Sequence, residues 1–461
     1  MGLIGKLYQN LIRSIGCTVL IGLLSSGVAS ANESYPVFTP THGSNVHYNW
    51  GAGSPEKGIP NDNFGAIFNQ SGFYSKGDYF IQTFADDKVK VSINGNKIID
   101  RWNENYWGTK ARAIWLNDKE GQHTIETEYY EKVGDAAIFS DIVPFDSWLA
   151  YYYENNNLAG YPTAAKVISP DGTQKNLQED FGANGPVPGY KKDNFSARYT
   201  TATRIPAGEY ILRTKADDGV RVYLDGKLVL DRWTNSPLRE DATKIQIGDR
   251  SGVNAVEKDI HWIDVEYYDA AELGKIDFSI LPFEGEVENS WVGEYYPNIS
   301  LSGNPFIVGG ENSTTKFSNL NLDWKSGSPH SSIPSDQFSA RFTKKENLEA
   351  GLYIFEVNSD DGIRVWVDDE LVIDSWVGSN GLPKSGKVSL EGGQHTIKVE
   401  YFEGIGDAHI KLNYRKIPSI TKADQDVHYN WGYGSPVGFP NDYFMGVFDQ
   451  SRHFARGDYF V

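Results

Sequence analysis

Three pairs of adjacent carboxylates recur in this chain: Asp86-Asp87, Asp217-Asp218 and Asp360-Asp361. Each first aspartate precedes a tryptophan (Trp102, Trp233, Trp376) by 16 residues, and a further aspartate (Asp100, Asp231, Asp374) lies 14 residues on. Side-by-side carboxylates repel one another and raise one pKa unless a cation or proton separates them. Calcium takes six to eight hard oxygen ligands, and paired aspartates with a distant carboxylate and backbone carbonyls can supply them. The competing reading is that one aspartate caps a turn and its neighbour faces solvent. Glycoside hydrolysis is a poor fit, because it needs carboxylates on both sides of the scissile bond, ~5–9.5 Å apart. Gly-x-Ser-x-Gly, His-Glu-x-x-His and phosphate-cradling glycine loops are also missing, so no catalytic role is expected.

The segments that position these pairs read as hairpins. Val220, Val222 and Leu224 alternate with Arg221 and Tyr223, giving one apolar face. Asp225-Gly226, and Asn94-Gly95 in the first copy, supply the positive φ angles of a two-residue turn. Leu228 and Leu230 are expected to resume the alternation on the return strand, which leaves Asp217-Asp218-Gly219 in the turn before the hairpin. A motif repeated at fixed spacing marks a repeated structural unit.

At 461 residues the chain exceeds one ordinary core, and three domains is the natural prior. Glycine-rich turns, 13% aromatics and frequent Val/Ile/Thr/Tyr alternation favour an all-β class. The formal charge is −18, or −20 without Lys6 and Arg13, so nucleic acid and anionic lipid are poor partners. Residues 1–31 read as a secretory signal peptide: Lys6 and Arg13 precede an apolar run, and Ala29-Ser30-Ala31 fits the cleavage rule. The run is shorter than the ~20 apolar residues of a membrane span. Cys17, the only cysteine, lies in that leader, so the expected product is secreted or held at the cell surface without disulfides.

Four units follow in order. The first, 32–146, carries Val46-His47-Tyr48-Asn49-Trp50-Gly51 and Pro60-Asn61-Asp62-Asn63-Phe64. The second, 147–285, opens at Trp148 and passes through Asp193-Asn194-Phe195-Ser196-Ala197-Arg198. The third, 290–417, opens at Trp291 and repeats that wording as Asp336-Gln337-Phe338-Ser339-Ala340-Arg341. A fourth, 418–461, copies the first in Val427-His428-Tyr429-Asn430-Trp431-Gly432 and stops before its own aspartate pair, so the chain is expected to be a fragment. Short joints such as Ile142-Val143-Pro144-Phe145 and Ile280-Leu281-Pro282-Phe283 suggest semi-rigid beads.

With these residues in hand, the chain resembles the PA-14 domain family, named after a segment of anthrax protective antigen. The likeness rests on Trp291-x-x-x-Tyr295-Tyr296, Asp336-x-Phe338-Ser339-Ala340-Arg341, Ala350-Gly351-x-Tyr353, Asp360-Asp361-Gly362 through Asp368, and Val372-Ile373-Asp374-x-Trp376. The second unit carries much the same set. The first departs from it, with Lys88 in place of Gly219 and Gly362 and Ile67 in place of Arg198 and Arg341. The resemblance implies tandem antiparallel β-sandwich or barrel domains serving as accessory modules, many of which bind carbohydrate. In fungal adhesins of the family the paired aspartate holds calcium through a cis peptide, the ion binds sugar hydroxyls, and an Asn in a later loop completes the site. Carried over by position, the pair becomes Asp86/Asp87, Asp217/Asp218 and Asp360/Asp361, and Glu131, Asp269 and Glu403 stand where the Asn would be. A carboxylate there adds charge, favouring the ion over its acceptance of a sugar hydroxyl.

Other residues take blander readings. Trp107 and Trp115 fall outside the repeated motif and are the candidate sugar-stacking rings, whereas Trp102, Trp233 and Trp376 at strand ends are expected to fill core. His123 and His395 read as turn or edge residues, and Asp100, Asp231 and Asp374 as acceptors for turn backbone. The expected function is a carbohydrate- or cell-wall-binding array using calcium, since repetition raises avidity and does nothing for catalysis. The alternatives are the targeting region of a polysaccharide hydrolase and an inert spacer.

Overall fold

In the computed structural model, the described residues are 35–449 apart from 41–45, 104–108, 170–175, 183, 272–273, 284–288, 310–316, 331–332, 379–380, 424–429, 432, 437–438 and 441–444. The leader, Trp107 and most of the fourth unit lie outside them. Strands dominate, and no helix among the described residues is long and apolar enough to cross a membrane.

Each of the first three units is a sandwich of two mainly antiparallel sheets. In the second, one sheet runs in the order Ala164–Ile168, Trp148–Tyr153, Phe195–Arg204, Ile260–Asp269, Gly219–Leu224, Lys227–Arg232. The facing layer is Leu177–Gly182, Gly274–Pro282, Gly208–Asp217, Arg239–Ile247. Period-two alternation aims Phe195, Tyr199, Val220, Val222, Val265 and Tyr267 at Leu212, Ile276 and Phe278, and these side chains make the core. The third unit repeats the plan around Phe338, Phe342, Val365, Val399 and Tyr401. The first unit lacks the opening Trp-Tyr-Tyr strand. There the two-residue strand Val37–Phe38 pairs parallel to Phe64–Asn69 instead.

The hairpin reading holds in its turns and fails in one detail. Asn94-Gly95, Asp225-Gly226 and Asp368-Asp369 all have positive φ at both positions. Each turn is fastened from outside: the backbone NH groups of Thr124, Trp262 and Thr396 donate to Asn94, Asp225 and Asp368. His123, His261 and His395 lie against the same three side chains, at 2.9, 2.7 and 2.5 Å. The turn reading of His123 and His395 therefore stands, with His261 as the third member. The alternation does not simply resume after the turn. A bulge between Val222 and Tyr223 pairs Tyr223 with Leu228, leaving Leu228 exposed while Leu230 is buried.

Successive units dock through outer sheet faces. Between the first and second, Phe80, Phe84, Phe139 and Val143 meet Leu149, Tyr151, Tyr153 and Ala202 in a buried apolar seam. Between the second and third, Ile211 and Ala242 meet Val292 and Ile307, and Thr243 bridges to Phe306 so that sheets of the two units join.

Candidate metal and ligand site

The aspartate pair sits where the chain leaves one sheet for the other. Strand Gly351–Ser359 belongs to one layer and Ile363–Val367 to the opposite one, so Asp360-Asp361-Gly362 is the crossing. Strand Gly393–Glu403 makes the return crossing at the same corner, towards Ala408–Lys416, and its last residue is Glu403. Two sheet-changing loops thus converge, and the carboxylates of Asp360, Asp361 and Glu403 place oxygens within 4.8 Å of one another.

Gly362 is required by this crossing. A Cβ there would lie 2.0 Å from Cε1 of Phe402, whose ring covers the turn and packs on Trp376 at 5.0 Å. Gly219 stands in the same relation to Tyr268. Gly362→Ala is expected to lower stability by about 1–3 kcal/mol, read by equilibrium denaturation, because the ring must leave its stack. In the first unit Lys88 takes this place beside Tyr130, and Asp87 instead adopts a positive φ of 64°.

Backbone donors hold the second aspartate of each pair. Asp361 accepts from the Gly404 NH at 2.7 Å, Asp218 from Ala270 at 2.7 Å, and Asp87 from Lys132 at 2.6 Å. Glu403 and Glu131 each accept one hydroxyl hydrogen bond, from Tyr401 at 2.6 Å and Tyr129 at 2.7 Å. Their other oxygens are buried with no hydrogen-bond partner. Asp269 is one methylene shorter. Tyr267 donates to the Asp217 carbonyl instead, and both Asp269 carboxylate oxygens are buried and unpartnered. Burial first, and then repulsion from the neighbouring pair, pushes Glu403 and Asp269 up to about 7 and Glu131 up to about 8. A buried carboxylate with an unmet oxygen beside two more carboxylates suits a hard cation.

The three copies are not equivalent. Among the described residues, only the third unit closes to the 4.8 Å spacing. In the first, Asp86 is turned towards the second unit, where it accepts a hydrogen bond from the Tyr161 hydroxyl. No peptide bond among the described residues is cis, so the cis linkage that the fungal resemblance implies for the pair is absent. A fourth acid escaped sequence reasoning. Asp336 accepts from Gly406 NH at 2.9 Å, and Asp62 from Gly134 NH at 3.0 Å, on the loop that follows the Glu403 or Glu131 strand end. Asp193 occupies the same place with a buried oxygen that has no partner. Its signal was visible, since each of these aspartates stands two residues before the Phe that opens a long strand.

For Trp102, Trp115, Trp233 and Trp376 the aromatic expectations reverse, while Trp107 lies outside the described residues. Trp115 is buried in the core between Tyr74 and Tyr79. Trp233 and Trp376 are half-buried outside the core clusters, each stacked edge-on against Tyr268 or Phe402 and faced by Arg221 or Arg364 at 4.6 and 4.7 Å. Trp102 is half-buried too, under Lys90 at 3.9 Å. Each tryptophan follows the last paired residues of its hairpin and so folds over the sheet edge. Asp231 and Asp374 pair with those same arginines, at 3.0 and 3.1 Å, not with turn backbone; Asp100 does accept from the Trp102 NH, at 3.3 Å.

A family model described as the PA14 domain matches residues 25–140, 147–281 and 288–433. Among curated proteins, Anti-sigma-I factor RsgI3 of Acetivibrio thermocellus is 28% identical over 256 residues, 50% of this chain. The chain spans 37% of that relative's length. Among solved structures, an anti-sigma factor domain-containing protein from Clostridium clariflavum is 24% identical, with 58% of this chain and 94% of that one covered, at a TM-score of 0.25. A PA14 sugar-binding domain from an RTX adhesin is 22% identical, covering 28% and 91%, at a TM-score of 0.22.

Proposed function

The chain belongs to the PA14 domain family, and from that premise we propose that it is a non-catalytic, extracellular carbohydrate-binding array whose third unit holds calcium. The observation that carries this reading is the meeting of Asp360, Asp361 and the buried Glu403, whose Oε1 has no partner, at one sandwich corner. Calcium there would supply positive charge to the carboxylates and open positions for sugar hydroxyls. Asp217, Asp218 and Asp269 would form a looser site in the second unit. Asp86, Asp87 and Glu131 would form the weakest, because Asp86 already serves Tyr161.

Glycan-array binding with calcium and with chelator tests the proposal. Binding that is lost in chelator and lost again in Asp361→Asn supports it. Glycan binding indifferent to both would remove the metal from the mechanism, and no glycan binding at all would leave a spacer. The likeness to a protein named as an anti-sigma-I factor favours a second reading, in which the array is the recognition region of a regulatory protein responding to external polysaccharide. That reading predicts the same glycan binding with no linked hydrolytic activity.

A further inference from the structure

The two joints between units are built alike but filled differently. Pairing of Gly77 with Asn117 and of Gly208 with Ile247 puts Lys244 where the first joint has Ile114. Pairing of Arg198 with Glu266 and of Arg341 with Glu400 puts Thr396 where the first joint has Trp262, and Lys398 in place of Asp264. Across the seam, Glu294 replaces Tyr151 two residues into the homologous strand. In the first joint these places are occupied: Trp262 packs on Phe80 at 5.6 Å and under Arg112, and Tyr151 packs on Phe139. In the second joint the large rings are missing, and a cleft of about 530 Å³ opens beside the Thr243–Phe306 bridge.

The cleft has the features of a ligand site. Its volume falls within the ~300–1,000 Å³ of small-molecule pockets. Phe283 gives it an apolar face under Lys244, and Thr343 and Thr396 are among its lining residues. Four of its charged groups, Glu209, Lys244, Glu294 and Arg341, are held in ion pairs, and Arg341 is also held by Glu400 at 2.9 Å. The Glu294 side chain is 5% exposed and pairs with Lys244, with Arg341 at 3.4 Å and with the Tyr296 hydroxyl at 2.8 Å. Lys244, Arg341 and Lys398 are matched in number by Glu209, Glu294 and Asp369, so the lining carries no net charge. Preorganised charged hydrogen-bonding groups around one aromatic ring, with charge balanced, favour an uncharged polyhydroxylated ligand over an ionic one.

We infer that the cleft between the second and third units is a separate saccharide site for a neutral oligosaccharide segment, independent of the acidic corner and of calcium. A ligand seated there touches both units and so fixes their relative orientation.

The test is calorimetric titration of the whole chain in EDTA with xylotetraose, cellotetraose, mannotetraose and tetragalacturonic acid. At least one neutral tetrasaccharide is expected to bind with a Kd of about 1 mM or tighter. Thr396→Trp restores the side chain of the first joint, and should weaken that binding by at least about tenfold with no fall in melting temperature. Phe283→Ala should weaken it as well, with the first-joint seam untouched. No binding by any neutral probe at about 5 mM would overturn the inference, as would binding that survives Thr396→Trp or a preference for tetragalacturonic acid. Because EDTA is present throughout, failure here leaves the calcium reading standing, and failure of that reading leaves this one.

Discussion

Chelated protein is expected to melt lower at pH 8 than at pH 5, and calcium to reverse that order. The sign follows from three buried acids. Glu131 is pushed up to about 8, and Asp269 and Glu403 to about 7, by burial and then by the adjoining aspartate pairs. An acid whose folded pKa exceeds its unfolded value holds its proton more tightly in the folded state. The stability it contributes is complete below about pH 4 and is lost as the pH rises through about 7 to 8. Calcium competes for the same oxygens, so its stabilisation is small at pH 5 and grows towards pH 8. At a hundredfold excess over its Kd a ligand adds about 2.7 kcal/mol. For a unit of this size that corresponds to a shift of roughly 10 °C at pH 8.

Differential scanning calorimetry at both pH values, with EDTA and with millimolar calcium, reads this directly. Glu403→Gln sharpens the test, because it removes the charge but keeps the shape. In EDTA at pH 8 it should raise the melting temperature of the third unit, and in calcium it should abolish that unit's shift. If the variant lowers stability in EDTA, repulsion at the corner is not what burial and spacing make it. A calcium shift that persists in Glu403→Gln would place the ion elsewhere.

What the sequence revealed of this architecture divides by range. The turn residues Asn94-Gly95 and Asp225-Gly226 were legible because a turn is decided by two φ angles and adjacent side chains. Glycine at 219 and 362 was visible as a difference from Lys88, but its cause, a ring from a strand 49 or 40 residues on (Tyr268, Phe402), was not. The carboxylate at the strand end could be placed only through the family resemblance, since Glu403 and Asp361 are neighbours solely because two sheet crossings share a corner. Asp336 was overlooked for the opposite reason: its repeat was plain, but without the fold it read as part of a strand-opening motif. The strand-end tryptophans misled because alternation decides which face a paired residue takes and says nothing of the residue just past the pairing. The joints left almost no trace, because their partners lie up to 154 residues apart, as Lys110 and Asp264 do.

At the first of those joints, Asp264→Ala is expected to cost about 3 kcal/mol or more and to uncouple the first two units. Asp264 belongs to the second unit, yet it accepts from Lys110 at 3.0 Å and from Arg112, both on the first, and from Thr200 at 2.7 Å on its own. Burial opposes its charge, but the two cations hold its pKa well below the ordinary carboxylate range. Burial also lowers Lys110 to about 8, with Asp264 opposing that fall. Removing the carboxylate leaves Lys110 and Arg112 facing each other in a largely buried seam, and breaking a buried pair from one side typically costs about 3–5 kcal/mol. The apolar contacts of Phe80, Phe139 and Tyr151 remain, so both sandwiches should keep their own cores. Calorimetry would then show the joint transition of the first two units separating into two, and limited proteolysis would cut near Asp146. Asp264→Asn, which keeps the size and one acceptor oxygen for these donors but loses the charge, should fall between. A single unshifted transition in Asp264→Ala would mean that the aromatic seam alone sets the joint. The aromatic filling of the seam, by Trp262 at the first joint where the second has Thr396, would then be what holds the first two units together.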